Sequence, residues 1–141
     1  MANQRSRITI EDTFRYHGGL VFGLFIESYE KFPLVVGCSI KTFNEKIIDI
    51  PAKYLLSPGH AVWSVTAPDE CARGTGFNLE WNGYIIFALY EDRTFAKRLA
   101  DTGWIRWHII SLIGSSSAGL DMQDEYIESK YGKRMNVWKP L

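Results

Sequence analysis

The chain has three histidines and two cysteines with which to do chemistry. His17 is the most suggestive, because Gly18-Gly19 and the apolar run from Leu20 to Ile26 come directly after it. Read as residues alone, these are a strand-ending histidine beside a glycine turn. His60 follows Pro58-Gly59 and reads as an exposed turn residue at the start of a strand. His108 lies between Trp107 and Ile109, where a lone imidazole reads as a hydrogen-bonded core residue. Asp69-Glu70-Cys71-Ala72-Arg73 puts a thiol among charges. An activated thiol needs a basic neighbour, which Arg73 could supply, but an ordinary thiol in a solvated loop is the plainer reading. Gly74-Thr75-Gly76 opens like a dinucleotide loop, yet Leu79 stands where the third glycine is required. No phosphate-binding loop, HExxH or GxSxG pattern is present. Ser115 to Ser117 have no local base and read as a flexible connector.

Cys38 and Cys71 stand too far apart, and too few, for a zinc framework, so both are expected as reduced, buried thiols. No metal and no cofactor is expected. Lysine plus arginine equals aspartate plus glutamate at 16 each, so the formal net charge is zero. A nucleic-acid partner calls for a basic excess, and none exists. Neutrality also removes the electrostatic barrier to self-association, which favours a homodimer. Aromatic residues make up 14%, enough to ask whether they fill a core or line a pocket; rings fill interiors first. The longest apolar stretch, Leu20 to Ile26, is too short to span a bilayer, so no membrane partner and a cytoplasmic location are expected.

With 141 residues the chain is sized for a single domain, with a C-terminal helical extension from about 92 to 141. Residues 7–17 alternate, with Ile8, Ile10, Phe14 and Tyr16 on one side, as a half-buried strand does. Residues 20–32 read two ways. As a strand, Leu20 to Ile26 is a fully buried run and Gly18-Gly19 a two-residue hairpin turn. As a helix, Phe22, Phe25, Tyr29 and Phe32 share a face opposite Glu27, Glu30 and Lys31. The polar positions fit a period of 3.6 better than 2, which favours the helix. Strand-like stretches come next at 34–42, 46–50 and 61–66. Asn82-Gly83 between the alternating 77–81 and the apolar 84–90 predicts a hairpin turn, because both turn positions need positive φ. Asp92 can cap a helix running to Leu99 or Ala100, with Gly103 just past it. Residues 104–113 are apolar nearly all round and must be buried, as strand or helix. Asp121, Asp124 and Glu125 early, with Lys130 late, predict a final helix over 121–131. The fold class expected is α+β: a mainly antiparallel sheet with a central helix at 20–32 and C-terminal helices.

His17-Gly18-Gly19 with its apolar run resembles the tripeptide of the hotdog-fold acyl-thioesterases, where it opens a central helix wrapped by an antiparallel sheet. The pattern extends loosely over residues 8–95, and Trp81-Asn82-Gly83 with Tyr84 to Phe95 is similar to that family's last hairpin. The resemblance implies catalytic roles for His17 and an acid on the helix, and ligand contacts from Gly18, Gly19 and Phe22. The family's acid falls nine residues after the histidine; here that residue is Ile26, and Glu27 is the nearest carboxylate. One residue turns a helix by about 100°.

Two functions of different classes are compatible with these residues. One is a non-catalytic module that binds an apolar small molecule or a protein, resting on the aromatic content, the neutral charge and the lack of a full catalytic set. The other is an acyl-thioester hydrolase in which amides after Gly18 polarise the thioester and Glu27 activates water or attacks, across a dimer. The state of residues 20–32 discriminates them.

Overall fold

The computed structural model describes residues 5–16, 19–66, 68–73, 78–112, 125–132 and 137–141. In chain order the strands are β1 (Arg7–Tyr16), β2 (Gly19–Glu27), β3 (Leu34–Lys41), β4 (Ile47–Leu55), β5 (Gly59–Val65), β6 (Ala72–Arg73), β7 (Asn78–Tyr90), β8 (Arg98–Asp101), β9 (Ile105–Leu112) and β10 (Trp138–Pro140). One short α-helix, α1, covers 125–131. The strands form two antiparallel sheets. The small one runs β1-β2-β5; the large one runs β10-β4-β3-β7-β6, with β8 and β9 also on β7.

Leu20, Phe22, Leu24 and Ile26 alternate along β2 into the space between the sheets, where they meet Val36, Cys38 and Ile40 of β3 and Ile85, Phe87 and Leu89 of β7. Several of the aromatic residues are buried here as a cluster. Trp63 stands edge-on to Phe87 at 5.5 Å and to Trp138 at 4.9 Å, and Phe22 meets Phe87 at 5.6 Å. The Trp138 indole donates to the Val62 carbonyl at 2.7 Å, so β10 of the large sheet is tied to the small one. Such edge-on pairs add roughly 0.5–1.5 kcal/mol beyond burial.

The fold is therefore mainly β, and the expected α+β class with a central helix at 20–32 is overturned. Residues 19–27 are strand, paired with β1 on one edge and β5 on the other. Their helix-like reading has a physical cause. Val21, on the face of β2 away from the core, is buried beneath α1 with Val62, Ile127 and Tyr131. A strand covered on both faces shows no period of 2, so it imitates a buried helix. The 92–100 helix is also absent. Asp92 caps a turn instead: its carboxylate accepts the Thr94 N–H at 2.9 Å, and β8 begins six residues later. Of the 104–113 stretch, Ile105–Leu112 is β9, Trp104 and Ile105 are exposed rather than buried, and 113 lies outside the described residues. Of the final helix, 125–131 is helical and 121–124 lies outside the described residues.

Asn82-Gly83 is not a turn. β7 runs straight through it for 13 residues, with Asn82 paired to His108 and Gly83 to Trp107. Beyond Tyr84 toward the N-terminal end of β7, β3 gives way to β6 along the same edge. Gly83 fills that junction. A Cβ there would lie 2.9 Å from the Lys41 carbonyl and 3.2 Å from the Trp107 ring. The glycine serves close backbone approach inside a strand rather than positive φ.

Besides its apolar packing on Val21 and Val62, α1 is tied to the small sheet through the carboxylate of Asp12. β1 pairs Ile10 with Leu24 but Asp12 with Gly23, so a β-bulge at Glu11 turns both Glu11 and Asp12 toward the outer face. Asp12 there accepts from the Tyr131 hydroxyl, from Lys130 Nζ at 2.9 Å and from the Tyr126 hydroxyl at 3.3 Å. Tyr131 is fully buried over Gly23, where a Cβ would collide with its phenol. Burial alone pushes the Asp12 carboxyl up; the bonds from Tyr131, Lys130 and Tyr126 outweigh it and hold the group below its ordinary value. The same contact raises the Lys130 ammonium.

These contacts lead to two testable outcomes. Gly83→Ala is expected to destabilise by roughly 1–3 kcal/mol in urea unfolding, since a backbone carbonyl cannot step aside; an unchanged midpoint would mean that the strand has room there. Asp12→Asn is expected to cost roughly 1–2 kcal/mol at pH 7, the range of a charge-assisted bond kept partly in solvent. Because the folded carboxyl lies below its unfolded value of about 3.9, its contribution is complete above that pH and disappears as pH falls through the folded value. The gap between wild type and Asp12→Asn should therefore close below about pH 4; a constant gap at still lower pH would exclude the charge as its source.

Candidate functional site

Register in the large sheet sorts residues by face. Val36, Cys38 and Ile40 face the core with Leu89, Phe87 and Ile85, so Gly37 and Ser39 stand on the outer face with Ala88 and Ile86. Asp49 joins them from β4, opposite Ser39. Glycine, serine and alanine in these rows leave a low floor.

The connection from β7 to β8 folds back over that floor. Its shape is set by its own hydrogen bonds. The Phe95 N–H reaches the Asp92 carbonyl at 3.2 Å, the Ala96 N–H reaches the Thr94 hydroxyl at 3.3 Å, and the Glu91 N–H reaches the Lys97 carbonyl at 3.1 Å. A Glu91–Lys97 ion pair at 3.2 Å closes the loop. These bonds hold Phe95 at φ 60°, a left-handed conformation that a bulky residue rarely adopts. Such conformations persist where the surroundings over-determine them, and they gather at ligand clamps. Phe95 is 44% exposed and stands edge-on to Tyr90, with ring centroids 5.0 Å apart. Arg98 lies over the Tyr90 ring at 5.4 Å and donates to its hydroxyl at 2.8 Å.

Floor and loop together enclose a concavity of about 300 Å3. Tyr90, Phe95 and Arg98 form one wall, Ile86 and Asp49 contribute others, and Gly37, Ser39 and Ala88 lie beneath. The glycine suits the close approach of Tyr90: a Cβ on residue 37 would sit 3.2 Å from that ring, which would have to give by a few tenths of an ångström. Ser39 Oγ donates to Asp49 Oδ1 at 2.7 Å. Arg98 is matched by Asp101 at 3.6 Å. The arrangement can bury an apolar surface and read polar groups at its margin. It is small, at the low end of ligand pockets.

The residues singled out from sequence lie elsewhere. His17 and Gly18 are outside the described residues. Gly19 pairs with Tyr16 at the start of β2. Phe22 is wholly buried in the core. Glu27 ends β2, half exposed, 3.9 Å from Arg7. Because 19–27 is strand, no helix runs on from Gly19 to aim amides at a thioester, and Glu27 is not carried on a helix. His60 is half-buried within β5 rather than an exposed turn residue, 2.8 Å from Glu11 and 4.8 Å from the Phe25 ring. His108 is exposed on β9 rather than buried, 3.1 Å from Glu80. Both cysteines are free and buried, and burial pushes Cys38 up to about 12 and Cys71 up to about 11. Cys71 also feels Glu70, which raises it further, so neither thiol is activated. No group of three metal-ligating side chains occurs among the described residues.

Phe95, Ser39, Asp49 and Arg98 were not legible as a site. The one local signal, Asp92 with Thr94, is shared by helix caps and by turns. No helix among the described residues is long and apolar enough to cross a membrane. The chain is a mostly antiparallel β-sheet protein with a buried aromatic cluster. No protein-family model, curated protein or solved structure matches it.

Proposed function

We propose that this chain is a non-catalytic binding module whose ligand is a small molecule with an apolar face, seated between β3, β7 and the 91–97 loop. Phe95 carries the reading. A large apolar ring is held half exposed, in a costly backbone conformation, over a floor of small residues. Fixing it there in advance removes ordering that a ligand would otherwise have to provide. Tyr90 and Ile86 supply further apolar surface, and binding needs only its removal from water. Phe95→Ala is expected to weaken capture of small aromatic ligands at least roughly tenfold, as loss of a well-packed aromatic anchor does. Stability should stay within about 0.5 kcal/mol of wild type, the range of surface changes. Equal binding by wild type and variant in a fluorescence or NMR titration would remove the concavity as the site.

The module is further proposed to act as a homodimer. Beside the concavity, Ile47, Tyr84 and Trp104 are 56%, 39% and 37% exposed, and Lys41 lies 4.7 Å over the Trp104 ring. Interface cores favour aromatic residues of this kind. Light scattering is expected to give twice the chain mass, and Trp104→Glu to reduce it to one; a monomer at high protein concentration would count against the assembly.

A further inference from the structure

We infer that the ligand of the concavity is an organic cation, a protonated amine on a short apolar or aromatic body. This rests on the ligand-binding reading above and names its chemistry. Local charge decides the class. Asp49 lines the concavity and is exposed. Its Oδ1 takes the neutral Ser39 hydroxyl, and its other oxygen has no partner among the described residues. The nearby cations are engaged elsewhere. Arg98 is paired with Asp101 and hydrogen-bonded to Tyr90. Lys41 shares the outer face but lies over the Tyr84 and Trp104 rings, at 5.3 and 4.7 Å. Tyr84 belongs to β7, on the side of β3 away from Asp49 and β4. One negative charge is thus left uncompensated at the edge of an apolar hollow.

Each other class of ligand fits worse. An anion would meet Asp49 and an arginine already committed to two partners. A neutral apolar body closing over the hollow would strip water from Asp49 with nothing in return, which costs free energy. A cation restores the pairing and adds attraction to the Phe95 ring, since aromatic faces attract positive charge. Charge-assisted bonds of ammonium to carboxylate are about twice as strong as neutral ones.

The test uses the full chain, with amide shifts followed by NMR at pH 7 during titration with three matched probes: 2-phenylethylammonium, 2-phenylethanol and 3-phenylpropionate. The cation is expected to shift the amides of Ser39, Asp49 and Phe95 with a Kd on the order of millimolar, as suits so small a ligand. The alcohol should bind roughly tenfold more weakly, and Asp49→Asn should weaken the cation by about tenfold while leaving the alcohol unchanged. If cation and alcohol bind wild type equally and Asp49→Asn changes neither, the cationic class falls and the apolar site stands. If the carboxylate probe binds tightest, Arg98 is the reader and the inference is overturned. If no probe moves the concavity's amides, the ligand-binding reading falls with it.

Discussion

Every backbone N–H and C=O along β7 needs a partner on one edge or the other, and meeting that need organises the large sheet. No single neighbour is long enough for a strand of 13 residues, so the neighbours are staggered. β3 pairs with 84–90 and β6 with 80–81 on one side, while β9 pairs with 78–85 and β8 with 88–90 on the other. This has two consequences. A change of neighbour beside Gly83 demands a residue without a side chain. The reversal from β7 into β8 must happen at the far end, and that places the 91–97 loop over the outer face, where the concavity forms.

What was legible in the sequence is what depends on one face alone. β1 reads as a strand because Ile8 points inward and its neighbours outward. The aromatic excess reads as core because rings this large have few other places to go, and Trp63, Phe87 and Trp138 bear that out. The early Glu125 and late Lys130 of α1 suit an axial dipole that is local to it. What failed depends on partners distant in sequence. β2 looks helical because α1, about a hundred residues away, covers its second face. Asn82-Gly83 looks like a turn because nothing local reveals that β3 and β9 will hold it extended. The central helix that the hotdog-like resemblance implied fell with the first of these errors, while the mostly antiparallel sheet it also implied is present.

The candidate site was hidden for the same reason. Ser39, Asp49, Ala88 and Phe95 come from four separate stretches, and only the β3–β4 and β3–β7 registers bring them together. Alternation, which makes the core readable, puts every second residue of the same strands on the other side. The core and the concavity are therefore two faces of one ladder: Cys38 and Phe87 go inward for the same geometric reason that Ser39 and Ala88 go outward.

The bulge in β1 bears on how this strand can change over generations. Glu11 is the surplus residue, since Ile10 and Asp12 oppose the consecutive Leu24 and Gly23. Loss of Glu11 would restore plain alternation and leave Asp12 facing α1. Loss of Asp12 would bring Glu11 into its place, again with a carboxylate outward. Loss of Thr9 would instead turn Ile10 out and Glu11 into the core. Within this strand, a one-residue deletion is absorbed at 11–12 and corrupts the pattern at 9, so length variation among descendants of this sequence would concentrate at the pair of acids.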